Sequence, residues 1–460
     1  MTLDPAANHN FSELAGALDG ALALPGDDGW DVARQAWNLA VDQRPAAVVA
    51  AGSAGDAKAV VDFARQNGLR VAPQGTGHGA GAIGDLTGAI LFKTHELTQV
   101  DVDAGAGRAR SAPGALSRDV LIAAAPHGLA ALAGSSADVG IVGYSLGGGI
   151  GFLARKHGLQ ANRVTAVEVV TGGGEAVRAD HETETDLFWA LRGGGGSYGL
   201  VTAIEFELLP IGGLYAGALA WPWERSAEVL ARWVEWTAGA PEEISSSARM
   251  IQFPPLPQIP DPLRGRQLVM IDGVWDGDRE EADRVLAPLR EMDPEMDTWA
   301  EIPTPALVEV HGDPPEPVPS LTDHRLIREV PAEMVEAWVE VAGPGSGSPL
   351  LFSELRHWGG AIAREPDGAG VLGSFTEPYS LFNVGMAPEP AIEQAGRAHA
   401  ARICEALAPW TSERRFVNFT EAVVDPSLPY GAEALARLGE IRRSVDPDGL
   451  FQAAHPVTGD

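Results

Sequence analysis

Gln74-Gly75-Thr76-Gly77-His78-Gly79-Ala80-Gly81 is the stretch whose reading decides the fold. It follows a β-α-β pattern: an apolar strand from Ala47 to Ala51, a helix opened by Asp56 and closed by Gly68, and a strand from Leu69 to Ala72. A further strand, Ala89 to Lys93, comes after it. Glycine at 75, 77, 79 and 81 permits positive φ and close backbone approach, so successive N–H groups can converge on an anion such as a pyrophosphate. Two common nucleotide signatures are missing. No Lys-Ser/Thr pair follows as a phosphate loop requires, and alanine at 80 breaks the G-x-G-x-x-G register. His78 sits between glycines, where there is little core to hold it. A metal site lacks partners, since His95 is the next histidine and no cysteine is near.

A second glycine-rich stretch runs from Val139 to Gly151 and again supplies bare backbone. Within it, Gly143-Tyr144-Ser145-Leu146-Gly147 matches the G-x-S-x-G nucleophile elbow, for which Asp446 and His455 could complete a hydrolytic triad. Between the two stretches, Val100 to Val102 and Arg108 to Arg110 flank two glycines as a hairpin, and a helix is expected over Ser117 to Ala125. Beyond them come a strand from Val164 to Thr171, a turn at Gly172 to Gly174, a short helix opened by Asp186 and a strand from Leu200 to Leu209.

Past Gly212 the pattern changes. Strand-like segments (Leu214 to Trp221, Arg249 to Phe253, Gln267 to Val274, Leu350 to Arg356, Tyr379 to Val384) alternate with amphipathic helices (Ser226 to Thr237, Glu280 to Met292, Ala332 to Val341, Ala391 to Leu407). This suits an antiparallel sheet backed by helices on one face. The proline-rich segment from Phe253 to Asp261 reads as a surface loop.

The 460 residues suit two or three domains. With 33 basic against 63 acidic side chains, the formal charge of −30 argues against nucleic-acid or anionic-membrane partners. No run of about 18 apolar residues predicts a membrane span, and the N-terminal residues lack a secretory pattern, so a cytoplasmic location is expected. The single cysteine, Cys404, lies in an apolar helical pattern and is expected to be a buried structural thiol.

Several long segments in one order carry a resemblance: Gly75-Thr76-Gly77-His78, Val139 to Gly151 running on to Leu159, Glu168-Val169-Val170-Thr171, Asp186 to Gly196, and Val445-Asp446-Pro447-Asp448-Gly449-Leu450-Phe451. Together they resemble the FAD-binding oxidoreductases of the p-cresol methylhydroxylase type, in the berberine-bridge-enzyme-like branch. The resemblance implies an α+β fold with an FAD-binding domain of two subdomains over residues 1–212. A substrate-binding domain follows over 213–412, and a tail over 413–460 returns to the FAD domain. It implies a flavin bonded covalently through its 8α carbon to His78, and hydride transfer from an alcohol, sugar or secondary metabolite. Dioxygen is the expected reoxidant, and Ile141 stands where relatives carry a residue thought to gate oxygen, so oxidase and dehydrogenase both stay open. Cofactor contacts are expected from Gln74, Gly75, Thr76, Gly77, Gly79, Ser136, Val139, Gly140, Gly143, Gly147, Gly148, Gly149, Gly151, Gly199, Val201 and Asn418. A small-molecule substrate and dioxygen are the expected partners. The serine motif becomes flavin-binding backbone on this reading, with a hydrolase using Ser145, or a flavin-binding protein without turnover, as alternatives.

The chain departs from the family's pattern in ways that matter for chemistry. Many relatives bond the flavin a second time through a cysteine where Ser136 stands, so a single tether with no cysteinyl bond is expected here. Phe416 and Phe419 occupy a tail motif in which relatives often place a tyrosine base, Ala454 replaces a common asparagine, and Gln74 a common arginine. Candidate catalytic groups are therefore sought in the second half: Glu354, Arg356, His357 and Asn383, with Tyr144 and Tyr198 beside the flavin-type loops. Strand alternation puts Glu354 and Arg356 on one face and His357 on the other.

Overall fold

The computed structural model describes residues 9–457. Three sheets organise the chain. Ala21–Ala23, Ala47–Ala50, Ala89–Lys93 and Arg70–Gln74 form the first in that spatial order, with the last three strands parallel. Its β-α-β crossover is the helix Gly55–Asn67, whose face of Val60, Val61 and Ala64 is buried and which ends at Gly68 in the left-handed region. The second sheet is antiparallel, in the order Val100–Asp103, Arg108–Ser111, Leu200–Glu207, Val164–Val170 and Ala176–Asp180. Asp56 does not cap its own helix. Its carboxylate accepts the backbone N–H groups of Asp19, Gly20 and Gly52 at 2.8–3.0 Å, tying the N-terminal segment to the first sheet.

The third sheet has eight strands, all beyond Gly213. Along its main path run Met296–Asp297, Leu214–Pro222, Gln267–Trp275, Ile244–Gln252, Phe352–His357, Tyr379–Met386 and Ser320–Ile327, while Ala300–Ile302 pairs beside Leu214–Pro222. The strand Ser320–Ile327 is not signalled by sequence patterning, because Asp323, His324 and Arg325 interrupt its alternation. One face of the sheet packs on the helices Ser226–Thr237, Arg279–Arg290, Ala332–Ala342 and Pro390–Ala406. Trp233, Trp338, Leu355, Leu381 and Ile403 share that core. Cys404 is buried there too, with its thiol 2.9 Å from Asp323 Oδ1. Among the described residues no helix is long and apolar enough to cross a membrane.

The tail crosses back to the first two sheets. Leu438 and Ile441 of the helix Ala432–Val445 join the core of the antiparallel five-stranded sheet. Val71 N–H donates to Leu450 O at 2.9 Å, and Gln452 N–H donates to Val71 O at 2.9 Å. Asp446, 3% exposed, fixes this turn by accepting Leu450 N–H at 2.7 Å and Phe451 N–H at 3.0 Å. Replacing Asp446 with alanine leaves both N–H groups buried without their acceptor. We expect it to lower unfolding stability by about 1.5–3 kcal/mol, measured by denaturant unfolding of the purified protein. Unchanged stability would show that the turn holds without its carboxylate.

Candidate flavin and substrate site

The three sheets meet around a cavity of about 410 Å3. Its floor is the first glycine loop, from Gln74 to Ala80, facing the second glycine-rich stretch at Val139, Gly140, Gly143 and Gly147. Ser136, Gly199, Val201 and Asn418 also line it. Gly148, Gly149 and Gly151 do not. They are glycines for packing reasons: a Cβ at 148 would meet Phe416 at 3.2 Å, one at 149 Gln160 at 2.7 Å, and one at 151 the Ala133 carbonyl at 1.9 Å. The opposite case is more telling. A Cβ at Gly79 or Gly143 would have nothing within 4 Å, and at Gly75 only the Pro113 carbonyl at 4.0 Å. Gly143 lies inside the helix Ile141–Leu146, where glycine costs about 1 kcal/mol relative to alanine. Neighbouring protein atoms give these three glycines no reason to lack a side chain.

The floor also leaves polar atoms without partners. Both amide atoms of Gln74 and the hydroxyl of Tyr144 are buried with no hydrogen bond, and both residues line the cavity. Burial pushes the Tyr144 hydroxyl far above its ordinary range. Bare backbone together with waiting donors and acceptors fits a large, flat polar cofactor such as FAD.

His78 lies on the floor, stacked on Trp37 with ring centroids 3.9 Å apart and planes 20° from parallel. Its Nε2 is 3.3 Å from Asp138 Oδ1. Asp138 also accepts a hydrogen bond from Trp37 Nε1 and one from Ser136 Oγ at 3.1 Å. Burial pushes the Asp138 carboxyl up, but the nearby His78 imidazole, with the Trp37 and Ser136 donors, holds it below the usual range.

The ceiling is the free face of the eight-stranded sheet. Register pairs Arg249 with Glu354 and Glu354 with Phe382, and sets Arg356 opposite Ser247 and Ser380. Glu354 is fully buried and pairs with Arg356 Nε; its Oε2 is 3.0 Å from His311 Nε2. His311 Nδ1 is 2.9 Å from Asp272 Oδ2, which also pairs with Arg249 Nη2 at 2.9 Å. Burial and Arg249 push His311 down, yet Glu354 and Asp272 outweigh them and carry it up to about 9. Burial alone would raise Glu354, and the Arg356 and His311 charges reverse this, holding it far below the usual carboxylate range. Arg356 reaches the cavity, donating to Ser135 Oγ at 3.1 Å, with its guanidinium 4.9 Å from the Phe419 ring centre.

His357 and Asn383 belong to the helix-packed face, so the catalytic roles expected of them are corrected by the strand alternation. His357 contacts Arg155 Nη1 at 2.8 Å and stacks on Tyr379. Asn383 Oδ1 accepts from Ser353 Oγ at 2.6 Å, and Ser353 in turn accepts from Trp338 Nε1. Ser145 is corrected as well. It is 1% exposed and donates to Ile141 O at 2.7 Å inside its helix, a back-bond that leaves no nucleophile in the cavity. Ile141 and Tyr198 are buried in core, although the Tyr198 hydroxyl has no partner. Asn418 bridges to the second stretch by accepting Gly149 N–H at 3.0 Å. Phe416 is buried among Trp358, Phe375 and Phe419, and of the two tail phenylalanines only Phe419 lines the cavity.

Sequence reasoning missed four groups at the site: Trp37, Asp138, His311 and Glu421. Glu421 lines the cavity, with Asn38 Nδ2 donating to its Oε2 at 3.2 Å. Burial pushes its carboxyl up to about 7, against the Thr322 bond, the Arg397 charge and the Asn38 bond. Its place two residues beyond Phe419, in the motif already suspected of carrying a base, was the available signal.

Comparison with known proteins agrees with this site. An FAD binding domain family matches residues 45–180. (R)-6-Hydroxynicotine oxidase of Paenarthrobacter nicotinovorans is 32% identical over 206 residues, 45% of each chain. Xylooligosaccharide oxidase of Thermothelomyces thermophilus is 25% identical across 93% of this chain and 90% of that one. The structure of berberine bridge enzyme from Eschscholzia californica superposes with a TM-score of 0.83 at 16% identity, covering 98% of this chain and 99% of that one. Residues 45–180 thus match an FAD binding domain, the chain is similar to FAD-linked oxidases, and it shares the fold of berberine bridge enzyme.

Proposed function

We propose that the protein oxidises a small hydroxylated or amine-bearing metabolite, using an FAD joined to His78 alone and reoxidised by dioxygen. The observation that carries the reading is the floor, where Gly75, Gly79 and Gly143 keep open a space no protein atom fills. When bound, FAD supplies the hydride acceptor for the reaction. Residues 1–212 and the tail 413–460 would hold the cofactor, and residues 213–412 would roof the substrate. Gln74 and the backbone of both glycine stretches would bind the cofactor, and Asn418 would brace the second stretch behind it. Ser136 offers a hydroxyl where a second bond would need a thiolate, and it is already engaged with Asp138.

The ceiling sets the substrate. Phe352, Phe382, Phe419, Leu351, Val384 and Met386 line it, so it stacks on and desolvates rings instead of hydrogen-bonding many hydroxyls. Among alcohols, sugars and secondary metabolites, this favours an aromatic or heterocyclic metabolite over a free sugar. Glu421 takes the hydroxyl or amine proton as hydride leaves. A base must be ionised at working pH yet basic enough to accept, and a carboxyl titrating near 7 meets both demands. Arg356, held by Glu354, orients a polar group of the substrate from above.

Two outcomes are expected. Acid-precipitated protein stays yellow, and His78→Ala releases the colour into the supernatant; colourless wild-type pellets would refute the tether. With a substrate found by anaerobic flavin bleaching against a panel of alcohols, sugars and N-heterocycles, kcat/KM rises with pH through about 7 and then levels. Glu421→Gln keeps its flavin and loses about 10²–10⁴-fold in the rate of bleaching. An unaltered rate and pH profile in that variant would assign the proton elsewhere.

A further inference from the structure

Three side chains around His78 have no part in the function above. Trp37 stacks on the imidazole, and its backbone N–H donates to the Thr76 carbonyl at 3.0 Å, fixing the loop that carries His78. Its indole N–H and the Ser136 hydroxyl both point at one carboxylate, Asp138. That carboxylate, 9% exposed, faces His78 Nε2 at 3.3 Å, the nearest charged group to a ring nitrogen that is buried without a hydrogen bond. A buried carboxylate with two neutral donors still carries its full charge, and the partner able to answer it is the imidazole. No other side chain able to carry a positive charge is paired with Asp138 among the described residues.

We infer that Asp138 is a positioning residue for flavin attachment: it holds the proton of His78 on Nε2, leaves Nδ1 as the bonding nitrogen, and afterwards stabilises the attached imidazole as a cation. The inference rests on the reading that His78 carries the flavin. Attachment forms a bond between Nδ1 and the flavin 8-methyl carbon and breaks one C–H bond of that methyl group. The carbon is oxidised by two electrons, which reduce the flavin's own ring system. The proton lost from the methyl group passes to the reduced ring, and because Nε2 keeps its own proton the products are an imidazolium and an anionic reduced ring. Dioxygen then accepts the two electrons with one proton from the ring and one from solvent, becoming hydrogen peroxide and restoring the oxidised cofactor.

The chain's contribution is electrostatic. Nδ1 can attack only with its lone pair free, which requires the neutral tautomer protonated at Nε2, and a carboxylate opposite Nε2 selects that tautomer. Bond formation makes the ring cationic unless Nε2 loses its proton. An adjacent carboxylate that is itself screened from water favours keeping it. Trp37, stacked on the imidazole, limits ring rotation. A cationic imidazole withdraws more electron density from the flavin than a neutral one, so the same contact raises the flavin potential.

The test uses the full-length protein as expressed, with Asp138→Asn as the first variant. Wild type and variant are compared for total flavin in solution, for flavin retained after acid precipitation, and for the mass of the peptide containing His78. Apoprotein from cells starved of riboflavin is then mixed with FAD, and covalent incorporation is followed by acid quench. The asparagine variant is expected to bind FAD but to incorporate it at least about tenfold more slowly, the scale of a lost charge-assisted hydrogen bond. Its attached fraction should show a more negative midpoint potential, which a merely structural role would not produce. Trp37→Phe keeps the stack and removes one donor to Asp138, so it serves if the first variant does not fold; it should slow incorporation less and leave the potential nearer wild type. Wild-type protein without any covalent flavin would overturn the tether itself. Wild type covalently loaded, with variants matching it in both rate and potential, would overturn the role of Asp138 alone.

Discussion

A cavity at the junction of three sheets stays open only if each wall is held from behind, because protein interiors close-pack and unsupported voids are costly. Each wall here has such backing. The first glycine loop is anchored by the parallel strands Arg70–Gln74 and Ala89–Lys93, which the tail strand pairing at Val71 and Phe451 secures from the side. The second stretch is pinned by Asn418 from the tail and by packing of Gly148 and Gly149 against Phe416, Gln160 and Tyr144. The ceiling is supported on its far face by the helices and their tryptophans. Two of these three supports come from residues beyond 410, so the last part of the chain determines the shape of a site whose floor lies before residue 150.

The ceiling's charges belong to the same argument. Arg249, Asp272, His311, Glu354 and Arg356 lie on one face of a sheet whose other face is almost wholly apolar. Burying two carboxylates and three bases costs more than packing hydrocarbon there, and pairing offsets that cost only when every member is present. Such a chain of pairs contributes geometry: it fixes one guanidinium, Arg356, at the cavity surface with its plane beside Phe419. The aromatic residue at 419 accepts a cation over its face instead of donating a hydroxyl proton. A phenylalanine here presents a ring face and no hydroxyl, and the nearest carboxyl in sequence is that of Glu421.

What could be read from the chain alone follows the range of the interaction involved. The glycine loops, the β-α-β unit around Gly68 and the helices of the second half are local patterns, and the coordinates reproduce them within a few residues. Strand alternation also separated Glu354 and Arg356 from His357, although which face met the cavity needed the register with Arg249 and Phe382. Glycines 148, 149 and 151 looked identical to 143 in sequence, and only their neighbours tell packing glycines from cavity ones. Trp37, Asp138 and His311 could not be found because each gains its meaning from a partner more than 40 residues away or from the fold of an irregular segment. Ser145 misled in the opposite direction: the five-residue motif is local, but a nucleophile requires exposure, and its helix turns the hydroxyl back onto Ile141.

The distribution of charge around the cavity adds a final constraint on chemistry. Its lining is mostly apolar, and besides the tyrosines Tyr144 and Tyr430 the ionisable side chains that reach it are few: His78 near the floor, Arg356 and Asp313 at the ceiling, Glu421 and His455 from the tail. In such surroundings water is displaced by a bound ring system, and each remaining charge acts through a lower effective dielectric than it would at the surface. Arg356 is answered by Glu354 behind it, so it leaves no large net field in the cavity. Glu421 is different: its side-chain hydrogen bond comes from a neutral donor, Asn38, and among the described residues no base lies within ion-pair distance of it. Burial carries the Glu421 carboxyl up to about 7, so it can gain or lose a proton near neutral pH, while Glu354 and Arg356 hold each other charged.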